Sequence, residues 1–251
     1  MKLKAAFLFA LAGLSLGVAF SSVSFLMGDL QAMKVRDTFK QIEIQPELAQ
    51  DNQLDDLAFQ IESLLFWDGM NPEYLGLSAT HYALKGAASE NVSDAVYQDY
   101  AESAFGEAIN ATKAAQYISP LNYTALIQHA ESLWRMGKPF DVINQPISLA
   151  QKVAPFDTKV ALFSLEFLLA HWPQLSASEK VLASRYLLKP IQYRINYHQL
   201  NEVVARSPEK ERACRLLGFA NQAKTSQANM NNTKHKNKGV RLKTCKGVGR
   251  G

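Results

Sequence analysis

The sequence predicts an all-α protein, with an N-terminal transmembrane helix followed by a tetratricopeptide-like stack of antiparallel helix pairs. Three observations carry this. An uncharged run from Ala5 to Met27 follows Lys2 and Lys4. Downstream, apolar residues recur at three- and four-residue intervals, and strand-like alternation is scarcely present. Finally, the turns Ile118-Ser119-Pro120-Leu121-Asn122 and Val153-Ala154-Pro155-Phe156-Asp157 place two prolines 35 positions apart. That is close to the period of helix-turn-helix repeats. A looser third copy reads Phe66-Trp67-Asp68-Gly69-Met70-Asn71-Pro72-Glu73-Tyr74-Leu75.

Of the 251 residues 47% are hydrophobic, enough for a sizeable core. The net charge of +4 is unevenly spread. Eight basic residues and no acid lie from Gln222 onward, which leaves 19 basic against 23 acidic residues, about −4, for the rest. A nucleic-acid-binding fold would carry positive charge on its folded surface, so no nucleic-acid partner is expected for the body. Cys214 and Cys245 form neither a disulfide framework nor a metal set. A bridge between them would need an oxidising compartment, and a buried, unpaired Cys214 is the favoured state.

The elements follow in order. The 23 residues from Ala5 to Met27 would span about 34 Å as a helix, against roughly 30 Å of bilayer hydrocarbon. Ser22-Val23-Ser24 has the small-x-small form of a signal-peptidase site, but the apolar run exceeds the usual signal length of about 7 to 15 residues, which favours an uncleaved anchor over residues 1–30. The flanking lysines place the N-terminus in the cytoplasm and the rest of the chain outside it. Residues 31–46 read as a helical stalk or linker ending before Pro46.

A helical domain is expected over 47–221. Leu54, Leu57, Ala58, Ile61, Leu64 and Leu65 form the stripe of an amphipathic helix, with Asp55, Asp56 and Glu62 on its solvated face. Gly69 is expected as a left-handed C-cap, Asn71 as an N-cap and Pro72 at the first helical position. The next helix should end at Gly86, and Ser93 should cap a long one that runs to about Tyr117. Ser119-Pro120 is read as a second cap-plus-proline start. Met136-Gly137-Lys138-Pro139 reverses the chain, and Pro146 should bend or split the following helix at Asn144. Asp157 caps a helix, Val160 to Ala170, that is apolar on nearly all sides and too short to span a membrane. Ser176-Ala177-Ser178-Glu179 is a capping box. A helix ending near Ala205 and a last one opened by Ser207-Pro208-Glu209 finish the fold near Ala220. Residues 222–251, polar and basic, are expected as a disordered tail.

The chemistry is sparse. His81, His129, His171, His198 and His235 are scattered without a metal-binding spacing, and no nucleophile elbow or phosphate loop is present. No catalytic, cofactor-binding or metal residue is expected. Gln128, His129 and Arg135 are the candidates for a partner-binding groove, and Asp55 or Glu166 would carry any glycan-directed catalysis.

The lysine-flanked anchor, the Phe66-to-Leu75 segment, the two proline turns and the late Ala213-Cys214-Arg215-Leu216-Leu217 helix together resemble the VpsP-type polysaccharide-biosynthesis family. That resemblance, in layout from Met1 to Ala220, implies a tetratricopeptide-like body with an accessory role in making or exporting bacterial exopolysaccharide. It implies protein partners in that machine and single-pass placement in the inner membrane with the bulk of the chain periplasmic. It brings no catalytic residue and no cofactor. The same fold would also serve a general cell-envelope or secretion assembly factor.

Overall fold

The computed structural model describes the backbone of residues 2–45, 51–90, 95–230 and 240–246. The described residues hold ten α-helices and short 3-10 segments, and no strand. Packing divides the chain into two compact units, 1–139 and 140–251, so the span expected as one domain is parted between Pro139 and Phe140.

The first unit holds α1 (Lys2–Ile44), α2 (Asp51–Asp68), α3 (Pro72–Glu90), α4 (Ala95–Ile118) and α5 (Tyr123–Arg135). The expected anchor and stalk are one uninterrupted helix of 43 residues. The stalk is no linker. Ala32, Val35 and Ile42 are buried with Leu54, Leu57, Ile61, Leu64 and Tyr74, and Phe39 packs against the cluster. Steps of three and four residues along both helices make a seam with the spacing of knobs-into-holes packing.

Asn71 caps α3 by accepting from the Glu73 amide at 3.0 Å. Gly69 is not left-handed, because Gly137 is the glycine with positive φ among the described residues. Gly86 does not end α3 either. It is a packing position: a Cβ there would stand 2.8 Å from the Phe105 ring, so its absence lets α3 and α4 close on each other. These two helices share the most extensive helix interface in the unit. The proposed Ser93 cap lies outside the described residues.

The two proline turns are locally alike. Asn122 donates its amide to the Ser119 carbonyl at 3.0 Å, and Asp157 donates to Ala154 at 3.1 Å. In each case the Asx side chain two residues after proline is the cap: Asn122 accepts from the Ala125 amide, and Asp157 accepts from those of Lys159 and Val160. Ser119 is therefore not the cap of α5. That helix ends in a Schellman motif, with Lys138 donating to the Leu133 carbonyl, Gly137 donating to that of Trp134, and Gly137 at φ 63°.

The second unit holds α6 (Phe140–Val153), α7 (Thr158–Ala170), α8 (Ala177–Leu188), α9 (Tyr197–Arg206) and α10 (Lys210–Met230). Pro146 does not split α6, which runs through it. Buried α7 is the centre of this unit, with Val160, Ala161, Leu165, Phe167, Leu168 and Leu169 enclosed. The Ser176–Glu179 capping box opens α8, and Asn196 with Gln199 builds a second one at α9.

The C-terminal segment departs most from expectation. Helix α10 continues ten residues past Ala220, and Val240 and Leu242 are buried. Cys214 and Cys245 form a disulfide, rather than leaving Cys214 unpaired. Asn221 donates to the Val240 carbonyl at 2.8 Å, and the Thr244 amide donates to Asn201 at 2.9 Å. Two apolar side chains, two hydrogen bonds and one covalent bond hold a segment whose composition is mostly polar.

Two glycines on adjacent helices should respond in opposite directions to alanine. Gly86→Ala must displace the buried Phe105 ring and should destabilise by about 1–3 kcal/mol. Gly106, with nothing within 4 Å of its would-be Cβ, should gain about 0.5–1 kcal/mol on becoming alanine. Thermal unfolding of the full chain in detergent, followed by circular dichroism, reads both; equal shifts would contradict the close α3–α4 approach.

Candidate functional site

The sequence places Gln128, His129 and Arg135 on α5, and each meets a neighbouring helix. The Gln128 amide donates to the Gly76 carbonyl at 3.1 Å and to the Thr80 hydroxyl at 2.7 Å. A Cβ at Gly76 would stand 3.5 Å from the Gln128 side-chain oxygen, an ordinary contact, so the position has room for a methyl group. The Gln116 amide nitrogen on α4 lies 3.2 Å from His129 Nδ1, within hydrogen-bond distance. Burial, together with the Lys113 ammonium, holds the His129 pKa below its ordinary value. Arg135 pairs with Glu90 at 3.3 Å. The three residues thus bind α5 to α3 and α4, and their polar atoms face helices of their own unit.

The carboxylates are similarly engaged. Asp55 lies 4.0 Å from the Lys85 ammonium. Glu166 receives Arg206 in a two-pronged contact at 2.6 Å on each arm. Glu179 accepts from the Ser176 amide and hydroxyl and from Asn144. Burial pulls its pKa upward, but those hydrogen bonds prevail and hold it below the usual value. Among the described residues no group of three His, Cys, Asp or Glu side chains converges as a metal would require.

His81 is the most enclosed histidine among the described residues. It is 2% exposed, and Nδ1 has no hydrogen-bond partner. Burial pushes its pKa down to about 4, Lys85 adds to that effect, and Asp55 opposes it. The ring stands edge-on to Tyr82, 5.3 Å between centroids, which suits a packed neutral imidazole.

In the second unit a depression of about 290 Å³ is lined by Trp172, Val181, Ser184 and Leu188, with Lys180, Arg185 and Lys189 also on its wall. Arg212 stacks over Trp172 at 5.4 Å. The spacing 180, 181, 184, 185, 188 along α8 is one helix face, and that period was the available sequence signal for it.

The feature with the clearest physical meaning is α1. Leu14, Leu16, Val18, Phe20, Val23, Phe25 and Leu26 are all exposed, and burial begins at Gly28. Among the described residues this is the one helix long and apolar enough to cross a membrane. Its serines are satisfied internally: Ser21, Ser22 and Ser24 donate to the carbonyls of Gly17, Val18 and Phe20 at 3.0, 2.9 and 3.1 Å. Such back-bonding leaves no side-chain donor to water and suits a lipid environment.

Where α1 enters the body it is clamped. The Tyr74 ring stands 3.2 Å from the Cβ position of Gly28, and its hydroxyl donates to Asp29 at 2.8 Å. Burial and Asp29 push the Tyr74 pKa up to about 12. Arg36 pairs with Glu73 two turns further along α1. No protein-family model, curated protein or solved structure matches the chain.

The histidines predict a pH response. The folded protein holds His81 neutral, whereas the unfolded chain protonates it near 6.5, so its stabilising effect is complete above that pH and is lost as pH falls toward about 4. The full effect is on the order of 3 kcal/mol, and His129 adds in the same direction. The melting temperature should fall between pH 7 and pH 4.5, and His81→Leu should flatten that slope whatever it does to stability at pH 7. An unchanged slope would show that His81 is not the group that titrates.

Proposed function

We propose that the protein is a single-pass bacterial inner-membrane protein whose helical body lies in the periplasm and acts as a non-enzymatic, tetratricopeptide-like scaffold for partners of an exopolysaccharide assembly or export machine. The observation that carries the exported placement is the Cys214–Cys245 disulfide, since such bridges persist in oxidising compartments and are rare in the cytosol. The exposed apolar length of α1 supports the anchor, and Lys2 and Lys4 at its start support a cytoplasmic N-terminus. Carboxylates held in ion pairs, as Asp55 and Glu166 are, favour a binding role over glycan hydrolysis, which needs a free acid and base. The polysaccharide assignment rests on the short motifs of the resemblance. A general envelope or secretion assembly factor is the second reading, favoured by the same fold and separated from the first by partner identity alone.

Topology is tested on cells expressing the full chain. Both cysteines should resist maleimide until a reductant is added, and protease should digest the body in spheroplasts but not in intact cells. Free thiols in freshly lysed cells, or protection in spheroplasts, would place the body in the cytoplasm. The scaffold reading predicts that the full chain co-purifies with membrane-bound polymerase or export components, and that removing residues 5–27 abolishes this. Retention of those partners by the truncated, soluble form would count against it.

A further inference from the structure

One end of the first unit displays a cluster of apolar side chains far more exposed than folding requires. Phe66 is 81% exposed, Met70 68%, Tyr117 87% and Leu121 66%. The first two flank the α2–α3 turn, and the other two flank the α4–α5 turn. These turns lie at one level. Gly86 faces Phe105, so antiparallel helices of equal rise bring Pro72 opposite Ser119, fourteen residues away along each. Gln128 on Gly76 and Thr80 likewise sets the start of α5 beside the start of α3. The same level is where α1 leaves the body, because Tyr74 touches both Gly28 and Asp29. Ile44, Phe59 and Val96 are comparably exposed but lie elsewhere in the unit, Val96 beside the less exposed Tyr97 and Tyr100.

We propose that this end of the unit is a second membrane contact, with Phe66, Met70, Tyr117 and Leu121 seated at the headgroup–acyl boundary of the bilayer that α1 spans. The inference rests on the anchor reading. Its occupant follows from continuity: α1 is unbroken from the exposed apolar run into the core seam, so no flexible joint lifts this end away from the lipid surface. An aromatic ring with a polar tip, such as Tyr117, suits that depth. The acids nearby are engaged, Asp29 by Tyr74, Glu73 by Arg36 and Asp68 by Asn71, so the contact is apolar and does not call for anionic lipid.

The test uses the full chain in phosphatidylcholine vesicles, with a spin label on a cysteine introduced at Phe20, Leu121 or Ile44, the native cysteines being paired. Ile44 lies sixteen residues beyond Gly28 on the same helix, about 24 Å further out. The ratio of oxygen to nickel-chelate accessibility should be several-fold higher at 121 than at 44, and highest at 20. Equal ratios at 121 and 44 with a lipid-like value at 20 would overturn this contact and leave the anchor standing. A water-like value at 20 would overturn both. A parallel Phe66→Cys label repeats the comparison at the other turn, and disagreement between 66 and 121 would overturn a contact made by this whole end.

Discussion

Everything in the first unit depends on one helix that carries two kinds of surface. From Gly28 to Ile42, α1 meets α2 and α3 along Gly28, Ala32, Val35, Phe39 and Ile42, at steps of four and three residues. Before Gly28 the same helix presents its large apolar side chains outward. The hydrophobic effect drives the first stretch into the core, and the second finds no protein partner within its own unit. Tyr74 marks the changeover, with its ring on glycine and its hydroxyl on Asp29, so the boundary between the two regimes is fixed to within one turn.

Close approach, rather than bulk, sets the geometry of the remaining helices in that unit. Gly86 admits the Phe105 ring, and the Gln128 amide reaches the Gly76 carbonyl. A polar seam of Gln128, Thr80, Gln116 and His129 then crosses a mostly apolar interface, and each of its hydrogen bonds constrains which residues stand opposite one another. In the second unit, buried α7 takes the central place, and the Glu166–Arg206 pair at its edge ties it to α9. Both units are all-α, yet the first is registered by small residues and amide contacts, the second by a central apolar helix.

Much of this was legible in the sequence wherever the signal was local. The capping box at Ser176, the caps at Asn71 and Asp157 and the apolar stripe of α2 follow from chemistry within a few residues. The larger failures share a cause, since each depends on a partner distant in the chain. Gly86 has the appearance of a helix terminator until Phe105 is placed against it. Residues 31–45 resemble a linker because their apolar positions are sparse, and only α2 shows that a narrow seam suffices. The basic C-terminal segment lacks the apolar content to fold alone, and Asn201, Asn221 and Cys214 supply what it lacks. Gln128, His129 and Arg135, expected at a partner groove, each bond to α3 or α4, which the sequence of α5 alone does not reveal.

The continuity of α1 also sets a phase. In a helix each residue advances the azimuth by about 100° and the height by 1.5 Å. Since Ala32, Val35 and Ile42 are locked in the core, the compass direction of every side chain from Phe25 back to Ala12 is dictated by the folded domain. A bilayer around that stretch would therefore meet one defined circumference of the rod, and a torque on the rod would be passed to the seam with α2.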